Sequence, residues 1–302
     1  MGGLGRNVGT SLSPGGGGSS SCDGGRAENT ERSVYLSTKS RTLRSCEPRA
    51  VYNRRTMERM LEATAKAEDD HFWFHGLRRH ARLLLDASLS GTRPRRIIDC
   101  GAGTGRNLDW LREYGNAVGV ELNPTGLAVG RARGRRLVRA SVAALPFPDL
   151  CADLATSFDV LYCLDDETER RALAEMFRVL APGGRILVNV AALDILHGSH
   201  SALTMEVRRY TPERLRMRLE QAGFRIERLT FTNFTPFLPA LLVRGFERLT
   251  GRAGSASDSD LQVPAKPINM ALDAALRVEA AALRVMNLPV GTSLMALARK
   301  NA

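Results

Sequence analysis

The sequence has no uninterrupted apolar run of about 18 residues, the minimum for a membrane-spanning helix, and its N-terminus lacks the short apolar core of a secretory signal. Cysteine is scarce. The five present, at 22, 46, 100, 151 and 163, form an odd set with no CxxC pair, which argues against a disulfide framework and against a zinc site. Lysine stands only at 39, 66, 266 and 300, so arginine carries most of the net charge of +11. Residues 1–56 hold nine basic and four acidic side chains, a balance of +5 that leaves +6 for the remainder. The downstream arginines are scattered through predicted helices, with no stripe and no RNA- or DNA-reading motif. The expectation is a soluble, cytoplasmic, reduced protein that holds no metal and does not read nucleic acid.

With 302 residues and 43% hydrophobic content, the chain can bury one large α/β core with appendages. Residues 1–50 contain Gly15-Gly16-Gly17-Gly18-Ser19-Ser20-Ser21 and no sustained period, so they are expected to be a disordered tail. Character changes at Met57, and one expectation is that Met57 is the authentic start, which a full-length intact mass of the natively expressed protein would overturn. A helical cap is expected over 51–94, where Leu77, Ala81, Leu84 and Leu85 recur at helical spacing. The main domain follows over 95–302. Strands are expected at 96–100, 117–121, 137–140, 153–157 and 185–191, and helices at 106–114, 124–134 and 167–180. Such alternation implies a mostly parallel sheet with helices on both faces. Thr211-Pro212-Glu213 supplies a cap, a first-turn proline and a dipole-favoured acid for a helix over 212–222. Two further strands, 224–232 and 293–298, bring the total to seven. Between them, apolar helical segments near 236–250 and 268–287 read as an insertion spanning 236–289.

Ile97-Ile98-Asp99 is a buried strand ending in an acid, followed at once by Cys100-Gly101-Ala102-Gly103-Thr104-Gly105 and a helix. Glycines let the backbone turn sharply and approach a ligand, and the following helix N-terminus offers amide donors to an anion. Alone, this is only a nucleotide loop. The spacing is G-x-G-x-G, with Arg106 where a dinucleotide fingerprint needs glycine, and Glu121 ends the next strand where a carboxylate can accept both ribose hydroxyls. Leu145-Pro146-Phe147 and Arg178-Val179-Leu180-Ala181-Pro182-Gly183-Gly184 then follow in order.

In that ordered set, over roughly residues 95–192, the chain resembles class I S-adenosylmethionine-dependent methyltransferases of the type 11 domain group, which includes quinone C-methyltransferases. The resemblance implies a Rossmann-like fold and S-adenosyl-L-methionine as cofactor. By position it places Asp99, Gly101 and Gly103 around the methionine moiety, Glu121 on the ribose and Leu122 against adenine, with Ala102, Gly105, Ser141, Val142 and Ser157 also in the cofactor set. Ser141 stands where many relatives carry Asp, and Tyr162-Cys163 stand where they often carry Glu-His. The acceptor implied is a small molecule or a lipid-linked or glycan intermediate. A non-catalytic cofactor-binding protein and a nicotinamide oxidoreductase are the rival readings.

Outside the shared core, His71-Phe72-Trp73-Phe74 fits either core packing or a lid in which His71 and Trp73 touch substrate. His197-Gly198-Ser199-His200-Ser201 and Arg208-Arg209-Tyr210-Thr211 lie where such enzymes handle their acceptor. His200 is the proton-accepting candidate and Arg209 the anion-holding one, with Tyr210 a third catalytic residue; equally, the histidines fit ordinary loop residues and Tyr210 an anchor for the helix that follows. Phe237, Leu238, Leu241, Leu242 and Phe246 fit internal packing or a peripheral membrane contact.

Overall fold

A computed structural model describes residues 54–89, 94–196, 206–237, 240–242 and 262–301. The tail expected over 1–50 lies outside the described residues, as do His197, His200, Ser201, Leu238 and Phe246. Two helices, α1 (Arg54–Ala67) and α2 (Phe72–Ser88), precede the sheet. The rest runs β1 (Arg96–Cys100), α3 (Leu108–Leu111), β2 (Asn116–Glu121), α4 (Pro124–Ala132), β3 (Leu137–Arg139), β4 (Ala152–Phe158), α5 (Asp166–Val179) and β5 (Leu180–Ala191). It closes with α6 (Pro212–Gln221), β6 (Phe224–Thr232), α7 (Lys266–Ala282) and β7 (Ser293–Lys300).

The seven strands form one sheet in the order β3-β2-β1-β4-β5-β7-β6, with β7 antiparallel to both neighbours and the other pairs parallel. Side chains alternate across this sheet. Ile97 and Leu154 join Leu77 and Leu84 of α2 in one core layer, while Ile98 and Ala155 join Leu173 and Met176 of α5 in the other. Burial on both faces is why the central strands read as nearly continuous apolar runs. The chain order reverses between β1 and β4, and the loops leaving their C-terminal ends open the crevice where doubly wound sheets bind ligands.

Helix starts follow local chemistry. Asn123 Oδ1 accepts from Thr125 N–H (2.8 Å) to open α4, and Asp165 Oδ1 accepts from Thr168 N–H (2.8 Å) to open α5. Two expectations shift. The helix expected over 106–114 shrinks to the four residues of α3, because Leu108, Asp109 and Trp110 N–H groups bond back to Gly105, Arg106 and Asn107 carbonyls, a tighter three-residue winding. β5 begins at Leu180 rather than 185. Its early pairing of Leu180 with Ala152 is accommodated by a register shift between Ala152 and Leu154. α7 lies between β6 and β7, as the inserted helical segment required.

Candidate active site

The crevice is one cavity of about 680 Å³. Gly101, Ala102, Gly103 and Glu121 form one side, Leu122, Ser141 and Val142 continue it, and Asp159, Glu206 and Arg209 line it as well. Met57, Met60, Leu61 and Thr64 of α1 and His71, Phe72, Trp73 and Phe74 add further wall.

Glu121 is the pivot of the cofactor side. Its Oε2 accepts from Gly103 N–H (2.8 Å) and its Oε1 from Asn123 N–H (2.6 Å). A carboxylate offers about four acceptor directions, so this one can still accept from a ligand hydroxyl beside its backbone donors, Leu122 among them. Burial pushes its pKa up, and the backbone donors pull against that rise. Asp99 sits behind the loop, 1% exposed, and is not among the cavity-lining residues. Thr156 Oγ1 donates to its Oδ1 (2.7 Å), while its Oδ2 is buried without a hydrogen-bond partner among the described residues. Burial pushes the Asp99 carboxyl up to about 7, moderated by Thr156 and raised further by Glu121.

Four of the loop amides are already spent within the fold. Gly101 and Ala102 N–H groups both donate to Val120 O (2.9 Å), Gly105 N–H donates to Ala102 O (2.7 Å), and Gly103 N–H is held by Glu121. With α3 only four residues long, the glycines chiefly allow close approach of the backbone. Gly105 and Ser157 do not line the cavity. Gly105 faces Leu137, Arg135 and Leu108, and Ser157 is fully buried in β4.

A tie invisible in the sequence fixes α1 over this loop. Glu68, 2% exposed, accepts from Thr104 Oγ1 and pairs with Arg133 Nη1 (2.8 Å) and Arg135 Nη1 (3.3 Å). Thr104 belongs to the glycine loop, so the cap helix and the cofactor loop share one buried carboxylate. His71 faces the same cavity and caps α2, its Nδ1 accepting from Trp73 N–H (3.1 Å). Burial drives its pKa down to about 4, so the ring is neutral at physiological pH.

The acceptor-side candidates separate. His200 lies outside the described residues. Arg209 lines the cavity, but its guanidinium is already neutralised by Glu206 through two bonds (2.8 and 3.0 Å) and donates a third to Ala192 O (3.2 Å). It therefore presents no unspent cation for an anionic acceptor, contrary to expectation. Tyr210 is fully buried and absent from the cavity wall, and its hydroxyl donates to Glu169 Oε1 (2.7 Å). This is the anchor reading. Tyr210→Phe should cost about 1–2 kcal/mol in denaturant unfolding and leave turnover per folded molecule unchanged. A selective loss of turnover would restore Tyr210 to the chemistry.

The sequence reading passed over Asp159. It follows β4 directly, with φ of +61°, and lines the cavity. Asn189 Nδ2 donates to its Oδ1 (2.8 Å), and Asp159 N–H donates to Asn189 O (3.0 Å). Burial, reinforced by Glu206 and opposed by Asn189, pushes its carboxyl up to about 7. Its one sequence signal was its place at the end of the strand beside β1, where ligands gather.

With this geometry in place, known proteins sharpen it. The methyltransferase-domain family matches residues 98–188. The chain is 33% identical over 200 residues to the ubiquinone/menaquinone biosynthesis C-methyltransferase UbiE of Vibrio cholerae, covering 53% of this chain and 74% of that protein. It is 33% identical over 205 residues to the UbiE of Photorhabdus laumondii, covering 55% and 79%. Among solved structures it resembles an S-adenosylmethionine-dependent methyltransferase of Thermotoga maritima, with a TM-score of 0.52 at 17% identity, over 82% of this chain and 99% of that one. It also resembles phosphoethanolamine N-methyltransferase 2 of Haemonchus contortus, with a TM-score of 0.51 at 18% identity, over 85% and 62%. At such identities these two likenesses speak for the fold.

Proposed function

Because this chain belongs to the class I S-adenosylmethionine-dependent methyltransferases, with S-adenosyl-L-methionine as its methyl donor, we propose that it C-methylates a small-molecule acceptor bearing an enol or phenol hydroxyl. The observation that carries this reading is the single cavity of about 680 Å³ that joins Glu121 and the glycine loop to Asp159. Relatives whose names state C-methylation support the choice of carbon. Carbon attacks a methyl group readily only when conjugated to an electron-rich atom, most simply an ionised enol or phenol oxygen.

The residues present fit the cofactor. Glu121 would hold the ribose through the lone pairs its backbone donors leave free. Gly101 and Gly103 would let the methionine half approach the backbone, and Leu122, Ser141 and Val142 would flank adenine. Asp99 would act from behind the loop, positioning it. When bound, the cofactor supplies a methyl group already activated on a sulfonium. The protein's task is then to orient the acceptor and hold a proton, and positioning alone can supply several kcal/mol of the barrier, of a total near 7–11 kcal/mol in the best-oriented systems. Aromatic residues His71 and Trp73 would cover the acceptor and exclude water.

A lipid-linked acceptor is the second reading. It is favoured by the exposed apolar side chains Ile268, Met270 and Val278 on α7 and Val285 and Met286 beyond it, in the insertion whose residues Gln262 and Pro264 reach the cavity. One experiment separates these readings. The full chain, given methyl-tritiated S-adenosylmethionine and an extract of the native cells, should label the water-soluble small-molecule fraction with a carbon-bound methyl. Label confined to the lipid fraction would select the second reading, and no label at all would leave a cofactor-binding protein without transferase activity.

A further inference from the structure

We propose that Asp159 is the proton acceptor of the reaction, its carboxylate taking the hydroxyl proton of an enol or phenol acceptor bound against Asp159 in the cavity. This rests on the reading of the acceptor given above. The argument begins with the backbone. Asp159 sits in the left-handed region at φ of +61°, which L-residues other than Asn and Asp enter at a cost of roughly 1–2 kcal/mol. Asp159 directly follows the last residue of β4 and lines the cavity wall.

The second observation is how the carboxyl is held. Phe158 pairs with Asn189 in the β4–β5 register, and Asn189, fully buried, returns a side-chain hydrogen bond to Asp159 Oδ1 (2.8 Å). That bond fixes the carboxylate plane. No other described residue donates to Asp159 Oδ2, which is left to the cavity.

The third is the charge around it. Glu206 and Arg209 neutralise each other through their two-bond pair. Tyr162 and Cys163, on the turn after Asp159, are driven by burial and by the neighbouring carboxylates well above their ordinary pKa values, so both stay protonated near neutrality. Among the described residues that line the cavity, Asp159, pushed up to about 7, has a charge that changes in the physiological range. A base matched to its operating pH is what proton transfer rewards. Asp99 is raised to a similar value but stands behind the loop, off the cavity wall.

For a phenol the step balances as follows. The O–H bond breaks, its proton passes to Asp159, and its electron pair stays on the acceptor. The ring carbon forms a bond to the methyl carbon as the methyl–sulfur bond breaks with both electrons left on sulfur. The ring C–H proton is then lost to water and the proton on Asp159 returns to the oxygen, for a net release of one proton.

Asp159→Asn is the test. Asparagine tolerates the same backbone, and its carbonyl can still accept from Asn189. In full-length protein labelled with carboxyl-¹³C aspartate and saturated with S-adenosylhomocysteine, one carboxyl with a midpoint near 7 should vanish in Asp159→Asn. A second, belonging to Asp99, should remain. In the tritium assay, wild-type kcat should rise about tenfold per pH unit below that midpoint and level off above it. The variant should lose about 100-fold or more at pH 7 and lose this limb, with unchanged affinity for S-adenosylhomocysteine. An Asp159 midpoint in the ordinary carboxylate range, near about 4, overturns the proposal. So does a variant that keeps the wild-type pH profile while wild type labels small molecules normally. If wild type labels nothing, the acceptor reading falls and takes this assignment with it.

Discussion

Glu121→Ala is expected to weaken S-adenosylhomocysteine binding by roughly 100-fold or more while the protein without ligand stays folded. Two charge-assisted hydrogen bonds to ribose hydroxyls are lost, worth about 1.5–3 kcal/mol each, or about 3 kcal/mol at the low end. At about 1.4 kcal/mol per decade this gives the expected factor. The cost to folding runs the other way. Burial raises the Glu121 pKa in the folded state, so the folded protein binds that proton more tightly than the unfolded chain does. Stability therefore falls as pH rises from the unfolded pKa through the folded one, so ionising the side chain is a net cost to folding. Its removal relieves that cost, although Gly103 and Asn123 lose an acceptor. Calorimetric titration and a thermal melt decide the matter together. Undiminished affinity would sink the ribose assignment, and an unfolded variant would show Glu121 to be structural instead.

The second large effect is Gly101→Ala. Gly101 has φ of +80°, and a Cβ there would lie 2.3 Å from Cγ2 of Val160. The left-handed backbone costs an alanine roughly 1–2 kcal/mol, and the collision adds roughly 1–3 kcal/mol of overpacking strain. Val160 follows Asp159, so relief of the clash displaces the cavity wall that carries the proposed base. We expect about 2–5 kcal/mol of lost stability with reduced turnover even in the fraction that folds. Gly134→Ala is the matched comparison, because its φ is +70° yet nothing lies within 4 Å of the added carbon. It should lose only the backbone share. Equal losses in denaturant unfolding for the two variants would mean that the loop does not press on Val160.

The cofactor side was legible in the sequence because each of its demands is local. A strand buried on both faces must read as a run such as Ile97-Ile98, a turn at positive φ calls for glycine at 101 and 103, and an acid ending the next strand falls at Glu121. Register along a parallel sheet then places Asp99 opposite Gly119 and Val120 beside Cys100, so neighbours in space follow from the order of elements. The same locality made the seven strands and their insertion readable, and allowed the class of enzyme to be inferred from one ordered set of motifs.

The acceptor side is different, since its residues come from separate connections that only the sheet brings together. Asp159 leaves β4, Asn189 lies in β5, and Glu206 and Arg209 belong to the stretch before α6. Arg209 alone reads as a cation for an acceptor, and only its pairing with Glu206 removes that role. Tyr210 alone reads as chemistry, and only its burial against Glu169 makes it an anchor. Glu68 carries no motif, yet it joins α1 to the glycine loop through Thr104. The sequence by itself determined the sheet, the loop and the cofactor, because periodicity, glycine geometry and strand-end acids are properties of short segments. The tertiary structure alone decided which polar groups face the cavity uncompensated, because burial and charge pairing are sums over every element that meets there.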